Sequence, residues 1–490
     1  MSHDLYASWA TVEISRMIKA QPLVMFSTGV NSNNLNIFAN RESGRKWPIP
    51  DGRISAEMQA NKFEIAIEMK RTNEGLHGVL TAIGQSQAYI HKGYSGAAIV
   101  IPKAYDSHPT PGNYVSDVIN NIRTDLPIGV FTYDIPDTNS ATPFLNKLTC
   151  LREIGLTTTQ RIQTGNFLLN QKSTTQWAHL REGSSESFAF FKYLQIAKQQ
   201  NATNPTEPII NLPPGLISAV NRISPGTNPL NYLSFSTGLI FHDIVWRNFW
   251  FANVLTTSVA KIWTKAANVY SVNTVSTELE LADGSKQFFF SGRSDSIKNK
   301  IVNELNAGTI NENEAWEKFA LNVHNRAHSY REDIDSGLEH LGLIEDDGKP
   351  SDIGYKFVDA CERTNDCHSG KPWLILGSSI LKEGSLGAFL HYIYKVSEKE
   401  FKRDPLAFTS NGTGGKKKFN QDAYLVFLRN ELANNLHVMN TVIARGGSPR
   451  KAFQGEFAIL RKFDFVSSFR VGVGLEINWP LVQEFLEFKT

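Results

Sequence analysis

Asp51 follows a proline, and Glu68-Met69-Lys70 closes an apolar run that starts at Phe63. In a strand, residues two apart share a face. Glu68 and Lys70 therefore project side by side, while Ile65, Ile67 and Met69 point the other way. If Asp51 opens the preceding strand, its carboxylate sits beside Glu68. Two carboxylates at about 2.0–2.1 Å from a hard cation suit magnesium and leave places for water and phosphate oxygens. Such a cation lowers the pKa of bound water and offsets charge growing on a phosphate. Lys70 would orient the attacking water, or act as a base if its own pKa were lowered. Arg71 extends the basic edge where a phosphate would lie.

The elements that must position these residues are legible in the surrounding pattern. Residues 4–20 read as an amphipathic helix, with Leu5, Trp9, Val12, Met17 and Ile18 apolar. Leu23–Phe26 and Leu35–Asn40 read as strands divided by a turn. After the turn Pro48–Gly52 come the strand Phe63–Lys70, a helical stretch from Gly75 to His91, and a buried strand Ala97–Pro102. Ile128–Tyr133 adds another strand. This order predicts an α/β layer for residues 1–150.

Beyond it the composition shifts. Residues 151–310 are rich in aromatics (Trp177, Phe188, Tyr193, Trp246, Phe249, Trp250) and read as mostly helical. Residues 311–370 show helices at Trp316–Asn325 and Ser329–Leu341, then Leu-Gly-Leu-Ile, a polar turn and a last helix through Cys361. In 371–490, helices at Gln421–Met439 and Pro449–Lys462 precede a hairpin, Phe465–Ser468 with Phe469–Ile477, and a short helix, Pro480–Phe488. Asn411–Lys418 reads as a flexible basic loop.

Bulk numbers bound the answer. A chain of 490 residues, 41% hydrophobic and 11% aromatic, can bury several cores and is no disordered scaffold. It has no run of about 18 apolar residues, so no membrane span is expected. The start carries no signal-peptide pattern, and three scattered cysteines (Cys150, Cys361, Cys367) suit reduced thiols in a cytoplasmic protein. Cys361, Cys367 and His368 lack the paired spacing of structural zinc sites. A net charge of +2 decides nothing, because DNA-binding cations can be segregated to one face. Gly412–Lys418 lacks the Walker pattern, and no Gly-x-Ser-x-Gly or His-Glu-x-x-His is present.

The stretch Pro50–Pro102 resembles the PD-(D/E)XK nuclease superfamily, which includes most type II restriction endonucleases. Asp51, Glu68 and Lys70 match its catalytic Asp, Glu and Lys. Gln85 with Tyr89 looks like the Gln-x-x-x-Tyr helix that follows the catalytic strand in many members. Glu13 matches an acidic residue on the N-terminal helix that helps at the metal. The resemblance implies a restriction-endonuclease-like mixed sheet flanked by helices, with Asp51, Glu68, Lys70 and Gln85 catalytic. It also implies Mg2+ held by Asp51, Glu68 and Glu13, and hydrolysis of phosphodiester bonds in double-stranded DNA. A homodimer would suit palindromic sites, and a companion DNA methyltransferase encoded nearby is expected.

Residues 311–370 and 371–490 resemble winged-helix domains, in which a helix enters the major groove. On that resemblance Tyr330 and Arg331 in the first, and Arg450, Lys451 and Gln454 in the second, would contact DNA. Arg71 and Lys416, Lys417 and Lys418 would meet phosphates. Glu332, Asp333 and Asp335 count against deep contact by the whole first helix. The alternatives are a modification-dependent, repair or transposition-linked nuclease, or a non-catalytic DNA-binding regulator.

Overall fold

The structure, a computed structural model, describes residues 3–21, 35–40, 48–58, 61–105, 108–156, 175–178, 187–203, 212–235, 238–255, 262–272, 278–280, 286–288, 293–345, 347–411, 416–439 and 453–488. The chain is mixed α/β and divides into two compact units. The first joins Met1–His179 to Ser378–Glu487; the second is Leu180–Gly377 with Phe488–Thr490. The cuts expected at 150, 310 and 370 therefore fall inside units, and most of the C-terminal segment belongs with the N-terminal α/β layer. Among the described residues no helix is long and apolar enough to cross a membrane.

In the first unit, α1 (His3–Ala20) precedes β1 (Leu35–Asn40), β2 (Gly52–Met58) and β3 (Asn61–Met69). Then come α2 (Gly75–Lys92), β4 (Gly96–Pro102), α3 (Pro111–Ile122), β5 (Ile128–Tyr133) and β6 (Leu148–Arg152). The strands lie in sequence order across one six-stranded sheet. β1, β2 and β3 form an antiparallel meander; β3–β4 and β4–β5 are parallel; β6 returns antiparallel on β5. Parallel neighbours need a crossover, and α2 and α3 supply the two.

β4 and β5 are buried along their whole length, which is why both read as unbroken apolar runs. On one side Ala66, Ile99, Ile101 and Val130 pack with Val79, Ile83 and Tyr89 of α2 and Val115 and Ile119 of α3. The alternate residues of β3, Ile65, Ile67 and Met69, lie toward α1. Gly52 permits that close approach, since a Cβ there would meet Thr11 Oγ1 at 2.1 Å. The far side of α1 is covered by α4 (Leu386–Arg403): the Tyr392 hydroxyl lies 2.5 Å from Ser8 Oγ, and Trp9 packs on His391.

The rest of this unit departs from expectation in two places, while its hairpin and last helix follow the expected order. Thr409–Asn411 (β7) pairs with Lys417–Phe419 (β8), so Lys417 and Lys418 sit in a strand rather than a loop. α5 (Gln421–Asn430) stops short of Met439 and runs into a single π turn, where Asn430, Asn434 and Asn435 are weak helix formers. α6 (Gln454–Lys462) is followed by one hairpin, β9 (Val466–Arg470) with β10 (Gly474–Ile477), and by α7 (Trp479–Glu487).

The second unit contains helices at Ser187–Thr203, Pro214–Ile223, Ile240–Phe249 and Arg293–Asn306, with a hairpin of Trp263–Ala266 and Val269–Val272. Where two helices were expected between Trp316 and Leu341, one helix of 29 residues runs from Glu312 to His340. Arg326-Ala327-His328 contains no breaker, and an Asn311–Glu314 capping box starts the helix cleanly. Ser351 caps the next helix, Asp352–Thr364, by accepting a hydrogen bond from Gly354 N. The expected strand Leu23–Phe26 lies outside the described residues.

Candidate active site

β2 and β3 bring the first two carboxylates together by register. Gly52 pairs with Ile67 in antiparallel fashion, so Asp51, one residue earlier, falls opposite Glu68. Asp51 Oδ2 accepts a hydrogen bond of 2.7 Å from Met69 N, which fixes the carboxylate against the end of β3. The proline turn before it is tied down by α2. Lys92 Nζ donates to Pro48 O at 2.8 Å, and the Tyr89 hydroxyl lies 3.1 Å from Ile49 O.

Glu68 is 1% exposed and the most enclosed charge of the set. Lys70 Nζ donates to its Oε1 at 2.5 Å, and the Tyr89 hydroxyl closes on Oε2. Burial, and then the nearby charge of Asp51, push the Glu68 carboxyl up to about 7, against the opposing pull of Lys70 and Tyr89. Burial also works against the Lys70 ammonium. Its hydrogen bond to Glu68, with the charges of Glu68, Asp51 and Glu74, nevertheless holds the pKa above the ordinary lysine value. Lys70 is thus held as a cation in the metal-free fold, opposite to the lowered pKa that a base role requires.

Two residues join the constellation that sequence reasoning missed. His3, at the start of α1, places Nε2 3.1 Å from Asp51 Oδ2 and Nδ1 2.9 Å from Glu74 Oε1. The hydrogen bond to Asp51, outweighing burial, raises its pKa to about 9. Glu74 also accepts from Arg71 N at 3.0 Å and lies 3.8 Å from Lys70 Nζ. Burial would raise the Glu74 carboxyl, but the Arg71 amide, His3 and Lys70 together hold it below the usual range. The Glu74 signal was visible as an acid one helical turn beyond Lys70. His3 carried none, because its contact depends on how α1 crosses the sheet.

The remaining expected residues are scattered. Glu13 is buried, but its carboxylate takes two hydrogen bonds from Arg16, at 2.6 and 2.8 Å, and one from Asn146 N. Arg16 and Asn146, rather than Asp51 or Glu68, are the partners the structure gives this carboxylate, which tells against its expected role at the metal. Gln85 is half-buried on α2, one turn before Tyr89 and on the same face. Arg71 is half-buried and lies 3.6 Å from Glu74.

Arg331 is only 8% exposed: its guanidinium packs on Phe235 at 4.1 Å and pairs with Asp335 at 3.4 Å. Tyr330 packs among Trp246, Phe249 and Trp250, with centroids 5.7–6.4 Å apart. Arg331 thus belongs to the interior packing of one long helix, which tells against its expected role in reading bases, and Tyr330 is half-buried against the aromatic cluster. Lys416, Lys417, Lys418 and Gln454 are exposed, with Lys417 bonded to Asn411 at 2.9 Å. Arg450 and Lys451 lie outside the described residues.

Among the described residues no group of three or more His, Cys, Asp or Glu side chains is arranged to hold a metal. The protein offers two carboxylates, Asp51 and Glu68, close enough that the charge of Asp51 disfavours ionisation of Glu68. Asp51 Oδ2 is engaged by Met69 and His3, so Oδ1 is the oxygen turned away from those partners. This donor set fits magnesium, which is held by one or two carboxylates and takes its other ligands from water and phosphate. Comparison of the chain with protein-family models and with curated proteins gives no match.

Proposed function

We propose that the chain is a magnesium-dependent DNA endonuclease of the type II restriction kind, built on a restriction-endonuclease-like core. The observation that carries this reading is the convergence of Asp51, Glu68 and Lys70 at the end of one sheet pairing. The strand order supports it: an antiparallel meander delivers the carboxylates, and a parallel strand behind a crossover helix backs them.

In this reading Asp51 and Glu68 hold Mg2+, which when bound acidifies the attacking water and offsets charge on the phosphate. Lys70, kept cationic beside Glu68, orients that water and faces the developing negative charge. Tyr89 and Lys92 keep the proline turn and Glu68 in register, and Gln85 lies on the same helix face toward the backbone of the DNA. Those of Lys416, Lys417 and Lys418 that share one face supply phosphate contacts that fix position without reading sequence.

The experiment is a digestion of methylated and unmethylated DNA by purified full-length protein with magnesium, followed by sequencing of the ends. Breaks at a recurring site in unmethylated DNA identify a restriction endonuclease. Cutting confined to methylated DNA identifies the modification-dependent alternative. Binding without cleavage on either DNA would leave only a DNA-binding regulator.

A further inference from the structure

The charged side chains around Asp51 close into an almost complete ring. Asp51 meets His3, His3 meets Glu74, Glu74 meets Lys70, and Lys70 meets Glu68. Around that ring the sign alternates at every step except the last, where Glu68 and Asp51 face each other as like charges. Carboxylates only accept, so His3 must donate from both ring nitrogens to serve Asp51 and Glu74 at once. Glu74 is itself pinned by Arg71 N, so the imidazole has a fixed anchor behind it.

We infer that His3, oriented by Glu74, is a positioning residue for Asp51: its hydrogen bond to Oδ2 turns Oδ1 toward the place where the cation sits. The inference rests on the magnesium reading of Asp51 and Glu68. A residue behind a metal ligand fixes that ligand's rotamer, and removing it weakens metal affinity or activity by about 10–100-fold. Met69 N alone would hold Oδ2 by one bond, leaving the carboxylate free to swing about it. With His3 opposite, Oδ2 is held from two directions and its orientation is set.

Charge alone makes the opposite forecast. His3 carries positive charge beside the site, so deleting it should tighten a divalent cation if electrostatics were all that mattered. The sign of the effect therefore separates positioning from simple charge.

The test is calorimetric titration of the full-length protein with Mn2+ alone, in the wild type and in Asp51→Ala, His3→Leu, His3→Gln and Glu74→Gln, with melting temperatures recorded for each. Wild type should bind, and Asp51→Ala should lose the site. His3→Leu should bind about 10–100-fold more weakly, while His3→Gln, whose amide can still donate to Oδ2, should recover most of the loss. Glu74→Gln should fall between them. Equal or tighter binding in His3→Leu overturns the inference, as does a loss in His3→Gln as large as in His3→Leu. Equal melting temperatures in the two His3 variants tie the difference to donation rather than folding. A wild type with no site that Asp51→Ala removes overturns the magnesium reading itself, and the role of His3 falls with it.

Discussion

Each unit contains a histidine bonded to an aspartate at the same distance. His3 lies 3.1 Å from Asp51, and His242 lies 3.1 Å from Asp335. The surroundings give the two pairs different work. His242 is sealed: the Tyr193 hydroxyl lies 2.5 Å from its Nδ1, and Gly348 backs onto the ring, where a Cβ would sit 2.7 Å away. Asp335 is shared with Arg331, so the one carboxylate answers two cations. Burial works against the His242 charge, and Asp335 more than restores it. Around Asp51 three carboxylates, Asp51, Glu68 and Glu74, face His3, Lys70 and Arg71, with side chains about a quarter exposed at His3, Asp51 and Glu74. A sealed carboxylate shared by two buried cations is an internal strut. A pair of facing carboxylates within reach of solvent has room for a further cation, as the proposed function requires.

The comparison breaks most visibly in catalysis. Lys70→Ala should lower single-turnover cleavage by on the order of 10²–10³-fold, while binding measured with calcium in place of magnesium persists. Asp335→Ala should leave the rate per folded molecule unchanged. A rate loss of similar size in both variants would erase the distinction between the pairs.

Stability should report the reverse. Asp335→Ala strands Arg331 and His242 without their anion, and breaking such a buried set costs about 3–5 kcal/mol. Urea unfolding should show that loss, whereas metal-free Asp51→Asn should lose less, since the relief of Glu68 offsets the lost bond to His3.

The pH response sharpens the point. In the metal-free fold Glu68 keeps its proton up to about 7, while the unfolded chain loses it near the ordinary carboxyl value of 4.5. Between these values the folded state binds more protons, so stability falls as pH rises through the window. Unfolding midpoints followed from pH 4.5 to 7 should decline, and Glu68→Gln should flatten that decline. Saturating magnesium should also flatten it, because the cation favours the ionised carboxylate. A wild-type profile identical to that of Glu68→Gln would contradict the strained carboxylate pair.

The smallest effect concerns phosphate contacts. Lys417 and Lys418 are neighbours in β8 and point to opposite faces, so they cannot both lie along one DNA backbone. Replacing Lys416, Lys417 and Lys418 with alanine should reduce the salt dependence of binding by about 0.9 per lost contact. The change should be alike on every DNA sequence. A changed site preference with an unchanged slope would assign these lysines to base reading.

Local pattern was enough to read the heart of the sheet. The alternation of Ile65, Ile67 and Met69 against Glu68 and Lys70 placed β3, and the runs at Ala97–Pro102 and Ile128–Tyr133 match β4 and β5 closely. Asp51 opposite Glu68 followed from the proline turn and the register. What escaped depends on contacts distant in sequence. His3 reaches Asp51 only because α1 crosses the start of β2 at Gly52, a glycine whose reason is Thr11. Glu13 shares that helix and fits the expected pattern better, yet Arg16 claims it. The break expected near Arg326 failed because a pause in apolar spacing is not a helix breaker. The C-terminal segment gave no hint that α4 covers α1 through Tyr392 and His391. A fragment of residues 1–150 would accordingly expose that face of α1, and the first unit is the piece to express.

The most direct measurement is cleavage of supercoiled plasmid by full-length wild type and Asp51→Ala, with magnesium and with magnesium chelated. Wild type with magnesium should convert the plasmid to linear fragments with defined ends. Chelation or Asp51→Ala should abolish conversion, while the variant still binds DNA in calcium. Cleavage that survives in Asp51→Ala, or no cleavage by wild type on methylated and unmethylated plasmid alike, would contradict a nuclease centred on Asp51, Glu68 and Lys70.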